Sequence, residues 1–292
     1  MSLYRRRRSC LTVPGSSEKM LRKAAALPAD ELVLDLEDAV ARPEKAGARR
    51  LVVAALSGDA FFGRTVSVRV NAIRSAWCHE DIVALSAVDH PALTLVVPKV
   101  ESPADLGFID RLLDGLEAAR PGACRLGVQA LIETAAGIAD AGIIAGASPR
   151  LEALILGYAD LAASLGRDGT DGSWLFAQQM LLLAARANRL QAIDGPSFTL
   201  IADAVLERDS RTVAAMGFDG KWAIHPSHLP VLNAAFSPSA EAVAKARALI
   251  ARIDALQAGG NGAGAHDGEM IDEAMRLQAR RTLSRAGDIE PA

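Results

Sequence analysis

Two acidic residues in the middle of the chain carry the clearest chemical signal. Glu133 follows the apolar run VQALI, and Asp160 follows ALILGYA, with an Ala/Gly-rich, helix-like segment between them. Short apolar runs, β-branched in part and bounded by turn signals, read as buried parallel strands. A strand, a helix and a second strand form a right-handed crossover, so the two strands lie side by side and both carboxylates emerge at the C-terminal end. Negative charges at that spacing repel unless a proton or a cation sits between them. No cysteine or histidine stands beside them, and oxygen ligands of this kind suit a hard cation, Mg²⁺ being the usual one. Two carboxylates plus waters would leave room for substrate oxygens. The alternative for such end-of-strand acids is a structural pairing with arginine.

Arg69 lies in VSVRVN, an apolar run in which a guanidinium needs a partner. It can pair with Glu37 or Asp38, which end the run ELVLDLEDAV, or offer its fork to a substrate carboxylate, and the two roles are compatible. Lys99 follows LTLVVP and has the setting of a Schiff-base nucleophile. A metal-dependent enzyme needs none, so a salt bridge to Glu101 or a neighbour is expected. In the stretch HPSH, His225 reads as a rim or core hydrogen-bonding residue and His228 as surface, because Pro226 breaks the helical spacing. His79, His90 and His266 sit in polar, loop-like contexts. A divalent cation beside an arginine suits a 2-oxo acid, whose carboxylate and keto oxygens chelate the metal while the arginine clamps the carboxylate. Polarising that carbonyl favours making or breaking the adjacent carbon–carbon bond.

Elements to position these groups recur along the chain. Apolar runs ending in polar residues occur at CLTVPG (10–15), ELVLDLEDAV (31–40), TVSVRVN (65–71), LTLVVPKVE (93–101), the Glu133 and Asp160 runs, LQAIDGPS (190–197) and GKWAIHP (220–226). Helical stretches separate most of them, including 18–27, 180–190 and 203–216. Alternating β and α at this spacing means a parallel sheet, and eight units fit a closed (β/α)8 TIM barrel of the α/β class with its site at the strand C-termini. A doubly wound open sheet is the runner-up, but there is no G-x-G-x-x-G turn and no P-loop. The pattern places the barrel in residues 1–236. Residues 237–292 form a C-terminal helical extension: a helix capped by Ser237 or Ser239, a glycine-rich linker at 259–268, and a last helix carrying Asp272.

The composition agrees with this plan. Half of the 292 residues are hydrophobic and only 4% are aromatic, which suits helices packed closely on a buried sheet. A net charge of −3 gives no footing for nucleic acid. Arg5 to Arg8 read as a short solvated arm, the alternative being that one of them meets a phosphate. Three scattered cysteines, Cys10, Cys78 and Cys124, point to a reducing compartment and away from structural zinc. SCLTVPG is too short and too broken for a signal-peptide core, and no long apolar run would span a membrane. The expectation is a cytoplasmic protein.

Taken together, RSCLTVPGSSEKMLRKA, LDLEDAV with Lys45, Ala48 and Arg49 after it, VRVN, VPKVES, IETAAGI, GYADLAASLG, AIDGP, GFDGKWAIHP and DGEMID run in the order and spacing of a known group. The chain resembles the citrate lyase β-subunit-like members of the HpcH/HpaI aldolase superfamily, which include malyl-CoA, citramalyl-CoA and citryl-CoA lyases. The resemblance implies a TIM barrel, often a homotrimer or dimer of trimers, that cleaves or forms a 3-hydroxyacyl-CoA with a 2-oxo acid as the other fragment. It implies Mg²⁺ on Glu133 and Asp160, the oxo-acid carboxylate on Arg69, and Glu37 and Asp38 around metal and arginine. It implies coenzyme A contacts at Thr12, Val13 and Lys23. It also implies that Asp272, on a C-terminal segment covering a neighbouring subunit's site, acts as acid/base on the acyl carbon. Ala159 stands where lyases of the group often carry a second acid, and Ser17 where some carry an arginine. The rival readings are a malyl-CoA-type thioesterase and a non-catalytic subunit of a larger lyase complex. The presence of Glu133, Asp160, Arg69 and Asp272 together counts against the latter.

Overall fold

The structure, a computed structural model, describes residues 5–169, 172–258, 264–266 and 269–287. Eight strands form a closed barrel in chain order: β1 (Ser9–Pro14), β2 (Glu31–Asp35), β3 (Thr65–Arg69), β4 (Leu93–Val97), β5 (Gly127–Ile132), β6 (Leu151–Leu156), β7 (Gln191–Asp194) and β8 (Gly220–Ala223). Every neighbouring pair is parallel, and β8 closes on β1. The open-sheet alternative is thereby excluded. The runs ELVLD and LTLVV are buried along their whole length, as strands covered by helices on one face and by the barrel interior on the other must be. Cys10, Val33, Val96, Leu131, Ala153, Ile155, Ile193 and Trp222 form one apolar cluster of this core.

The helices are α1 (Glu18–Ala24), α2 (Lys45–Leu56), α3 (Cys78–Ser86), α4 (Pro103–Ala118), α5 (Ala135–Ala139), α6 (Ala141–Ala145), α7 (Tyr158–Ser164), α8 (Leu175–Ala187), α9 (Ala204–Met216), α10 (Leu229–Ala235), α11 (Ala240–Ala258) and α12 (Glu273–Ala286). Arg7–Asn233 is one compact unit, and the described residues from Ala234 onwards belong to a second. In the second, α11 and α12 pack through Ala246, Ala279 and Leu283. Ser239 caps α11, its hydroxyl accepting from the Ala242 amide at 3.1 Å. Most of the expected linker at 259–268 lies outside the described residues, and within it 264–266 pairs antiparallel with 269–271. Among the described residues no helix is long and apolar enough to cross a membrane.

The basic arm differs from expectation. Arg7 is buried, not solvated. Its guanidinium meets Glu31 at 3.1 Å, Glu152 at 2.7 Å and the Gln191 side-chain oxygen. Gln129 extends the network to Glu31 at 2.6 Å and Thr94 at 2.8 Å. Arg8 pairs with Asp30 at 2.7 Å. The polar residues near the starts of β2, β6 and β7, Glu31, Glu152 and Gln191, were the signal for this: a guanidinium among them has a partner for each of its three nitrogens. The β8 backbone comes so close that a Cβ on Gly220 would lie 1.7 Å from the Arg7 carbonyl oxygen, so only glycine fits there. Arg7→Ala strands the buried Glu31 and should cost about 3–5 kcal/mol in chemical denaturation. Unchanged stability would show that the network does not hold the barrel.

Candidate metal and substrate site

The polar residues at the barrel's C-terminal mouth form one connected set. The loop after β2 is fixed by Lys45 of α2, whose ammonium donates to the carbonyls of Leu36 at 2.7 Å and Glu37 at 2.6 Å. Register places Arg69 opposite Asp35. The guanidinium therefore grips Asp35 in a two-pronged pair, Nε to Oδ1 at 2.8 Å and Nη2 to Oδ2 at 2.6 Å. Its Nη1 makes only longer contacts, 3.2 Å to Glu37 and 3.5 Å to Asp38. Glu37 and Asp38, expected to be the partners, are thus the weaker ones. Burial opposes the arginine's charge, but Asp35, then Glu37 and Asp38, raise its pKa.

Lys99 ties this group to the metal-type carboxylates. Its φ of 54° is left-handed, a region that non-glycine residues rarely occupy. The Lys99 amide donates to Glu133 Oε1 at 3.0 Å. The Lys99 ammonium reaches Glu37 at 2.8 Å and Asp160 at 3.6 Å. Burial works against that charge, while hydrogen bonding and attraction from Glu37 raise the pKa and keep the amine protonated, an unsuitable state for a Schiff-base nucleophile. Glu101, one expected partner, instead meets Arg74 at 3.6 Å.

Glu133 lies directly after β5, as expected. Asp160 does not end a strand: β6 stops at Leu156, Gly157 turns the chain, and Asp160 sits in the first turn of α7. The pairing of Ile132 with Leu156 still brings the two loops side by side. Gly157 packs so tightly on Glu133 that a Cβ there would lie 2.6 Å from Glu133 Oε2. Burial, then the like charges of Glu37 and Asp160, push the Glu133 carboxyl up to about 8, against the pull of Lys99 and Arg69. Glu37 Oε2 is buried and makes no well-formed hydrogen bond, only the 3.2 Å ion-pair contact with Arg69 Nη1. This excess of buried acid suits a cation. Among the described residues no cluster of three or more His, Cys, Asp or Glu forms a complete metal cage. Two carboxylates completed by water and substrate oxygens is the way Mg²⁺ is commonly held.

A pH dependence follows. A carboxyl raised in the folded state binds more protons there than in the unfolded chain, so its contribution to stability falls as pH rises from 4.5 through about 8. A cation held by Glu133 would have to displace that proton, and on that assignment Mg²⁺ affinity should rise about tenfold per pH unit below that point and level off above it. Calorimetric titration with MgCl₂ at pH 6.5, 7.5 and 8.5 checks this, and a flat profile would contradict it.

The other expected residues are scattered. Thr12 and Val13 lie on β1, and the Thr12 hydroxyl is buried without a partner. Lys23 is exposed in the last turn of α1, and Ser17 caps that helix, its hydroxyl accepting from Met20 N at 3.3 Å. Asp272 belongs to the second unit. It precedes α12 and caps it, accepting from the amides of Ala274 at 3.0 Å and Met275 at 3.2 Å. His225 is exposed and bonds Ser227 at 2.8 Å. His228 is buried, contrary to expectation, since Pro226 starts a short 3₁₀ turn that directs it inward. His90 is also buried, bonded to the Phe61 carbonyl at 2.9 Å. Sequence reasoning missed the hydrogen-bonded group of Tyr158, Gln178, Asp194 and Lys221, although AIDGP and GKW were visible as motifs.

Residues 8–226 match the family model described as HpcH/HpaI aldolase/citrate lyase. An L-malyl-CoA/beta-methylmalyl-CoA lyase of Cereibacter sphaeroides is 36% identical over 293 residues, which cover 94% of this chain and 92% of the relative. A (3S)-malyl-CoA thioesterase of the same organism is 37% identical over 281 residues, covering 96% and 94%. A solved structure of CitE from Mycobacterium tuberculosis, in complex with magnesium, acetoacetate and coenzyme A, aligns with a TM-score of 0.75 at 32% identity, covering 98% of this chain and 99% of CitE.

Proposed function

This chain belongs to the HpcH/HpaI aldolase/citrate lyase family, and from that premise we propose that it is a Mg²⁺-dependent carbon–carbon lyase. It cleaves or forms a 3-hydroxyacyl-CoA such as malyl-, citramalyl- or citryl-CoA, giving an acyl-CoA and a 2-oxo acid. The observation that carries this reading is the meeting of Glu133 and Asp160 with Arg69 and Lys99 at one end of the barrel. Its likeness to CitE with magnesium, acetoacetate and coenzyme A supports it.

In this reading Glu133 and Asp160 hold the metal. Bound there, Mg²⁺ supplies Lewis-acid polarisation of the oxygen that becomes the keto group. Asp35 aligns Arg69, whose loosely engaged Nη1 edge takes the oxo-acid carboxylate. Lys99 balances the surrounding acids. Thr12, Val13 and Lys23 contact coenzyme A, and the unpartnered Thr12 hydroxyl favours a polar ligand there. In cleavage the hydroxyl proton passes to solvent water and its electron pair forms the keto group as the bond to the thioester α-carbon breaks; that bond's pair stays on the α-carbon, which takes a proton from the protonated form of Asp272 of a neighbouring subunit. That assignment makes the enzyme a homo-oligomer, and the family resemblance implies a trimer or dimer of trimers.

Purified protein assayed with the three thioesters, with and without EDTA, tests the reading. Metal-dependent release of an oxo acid is expected, and turnover indifferent to EDTA would overturn it. The thioesterase relative is as similar as the lyase, so thioester hydrolysis is the second reading. A free hydroxy acid as sole organic acid product would establish it instead.

A further inference from the structure

Four polar side chains behind the metal-type carboxylates have no part in the scheme above. Tyr158, the first residue of α7, donates its phenol to Asp194 at the end of β7 and accepts from Gln178 of α8 at 2.8 Å. The other Asp194 oxygen takes the ammonium of Lys221 on β8, which also donates to the Gly195 carbonyl at 2.6 Å. Asp194, Lys221 and Tyr158 are all buried.

A buried ion pair is weak evidence for stability, because well-packed apolar side chains often serve as well. Its place in the chain suggests another role. Ala159 alone separates Tyr158 from Asp160. The helix that carries Asp160 is only seven residues long, and no side chain caps its N-terminus. Its first turn is held from two sides instead. Gly157 packs against Glu133, where a Cβ would approach to 2.6 Å, and Gly195 packs against the Tyr158 ring, where a Cβ would approach to 2.7 Å. The hydrogen bonds to Asp194 and Gln178 fix the phenol end of the same residue. We propose that Tyr158, Asp194, Lys221 and Gln178 are positioning residues that hold Asp160 at the metal site through the first turn of α7.

This rests on Glu133 and Asp160 being the Mg²⁺ ligands, and the test separates the two claims. The probe is MgCl₂ alone, titrated calorimetrically into the substrate-free full chain. Tyr158→Phe removes one hydroxyl and should weaken Mg²⁺ binding by about 10- to 100-fold, the usual range for groups that orient metal ligands. Activity at saturating Mg²⁺ should be largely retained, with the half-saturating Mg²⁺ concentration rising in parallel. A purely structural role would lower the melting temperature and leave the Mg²⁺ affinity unchanged. A cavity of about 590 Å³ opens beside Tyr158, Gln178, Asp194 and Lys221, so water can fill the space left by Gln178→Ala. That variant should weaken binding by about threefold or more, and it decides the matter if Tyr158→Phe does not fold. Asp160→Asn is the control. If it binds Mg²⁺ like the wild type, the metal assignment fails. If it loses binding while Tyr158→Phe and Gln178→Ala both match the wild type, the positioning role alone is overturned.

Discussion

Glu133→Gln should eliminate measurable Mg²⁺ binding and lower lyase turnover by roughly 10³-fold or more, the scale of losing a metal's stabilisation of developing charge. The substitution is nearly isosteric. The side-chain oxygen that accepts the Lys99 amide at 3.0 Å is kept, and the tight packing of Gly157 is undisturbed. What is lost is one negative charge, so the loss of function reports charge and not collapse. The metal-free variant should be at least as stable as the wild type at pH 8. The wild-type carboxyl, raised to about 8 by burial and by Glu37 and Asp160, is a liability to the metal-free fold once it ionises. Function and stability therefore oppose each other at this residue, as expected where a site gathers like charges for a ligand. Calorimetry, a lyase assay and a melting curve on one preparation check all three. Wild-type Mg²⁺ affinity in Glu133→Gln would remove this residue from the metal site.

Strand number, order and parallel pairing were legible because buried strands impose apolar runs whose spacing the chain cannot hide. Glu133 was legible as a metal ligand candidate for the same reason, since it follows such a run directly. Asp160 was correctly drawn to the same rim, but its element was misread. The apolar character of Gly157 to Ala159 continues into α7, and hydropathy does not mark where a strand turns into a helix. The partner of Arg69 depended on register: Asp35 wins over Glu37 and Asp38 because it lies directly across from the arginine. The reach of Lys99 to Glu37 and Asp160 depended on a left-handed backbone that no lysine advertises. Arg7 reads as a solvated charge from its own neighbours because its partners, Glu31, Glu152 and Gln191, are distant in sequence. Burial of charge is set by what the fold brings round it, and the residue's own neighbours in the chain say little about it.

Replacing Asp272 should have the second large effect, and the choice of substitute matters. As the cap of α12, its carboxylate accepts from two backbone amides. Asp272→Ala loses that cap, at a cost of about 1 kcal/mol, together with any acid–base role, so its inactivity would be ambiguous. Asparagine caps helices about as well as aspartate but cannot exchange a proton at working pH. Asp272→Asn should therefore keep the wild-type melting temperature and Mg²⁺ affinity while lowering turnover by about 10²- to 10⁴-fold, the range for a missing general acid. Full activity in Asp272→Asn would remove the residue from the mechanism. Mixing then tests whether the acid comes from a neighbour. Glu133→Gln and Asp272→Asn chains should each keep at most about a hundredth of wild-type turnover alone. If a site combines Glu133 of one subunit with Asp272 of another, an equal mixture reassembled at random should restore about a quarter of the sites, since each contributing subunit is intact at its own position half the time. If both residues serve the same subunit's site, mixing restores nothing.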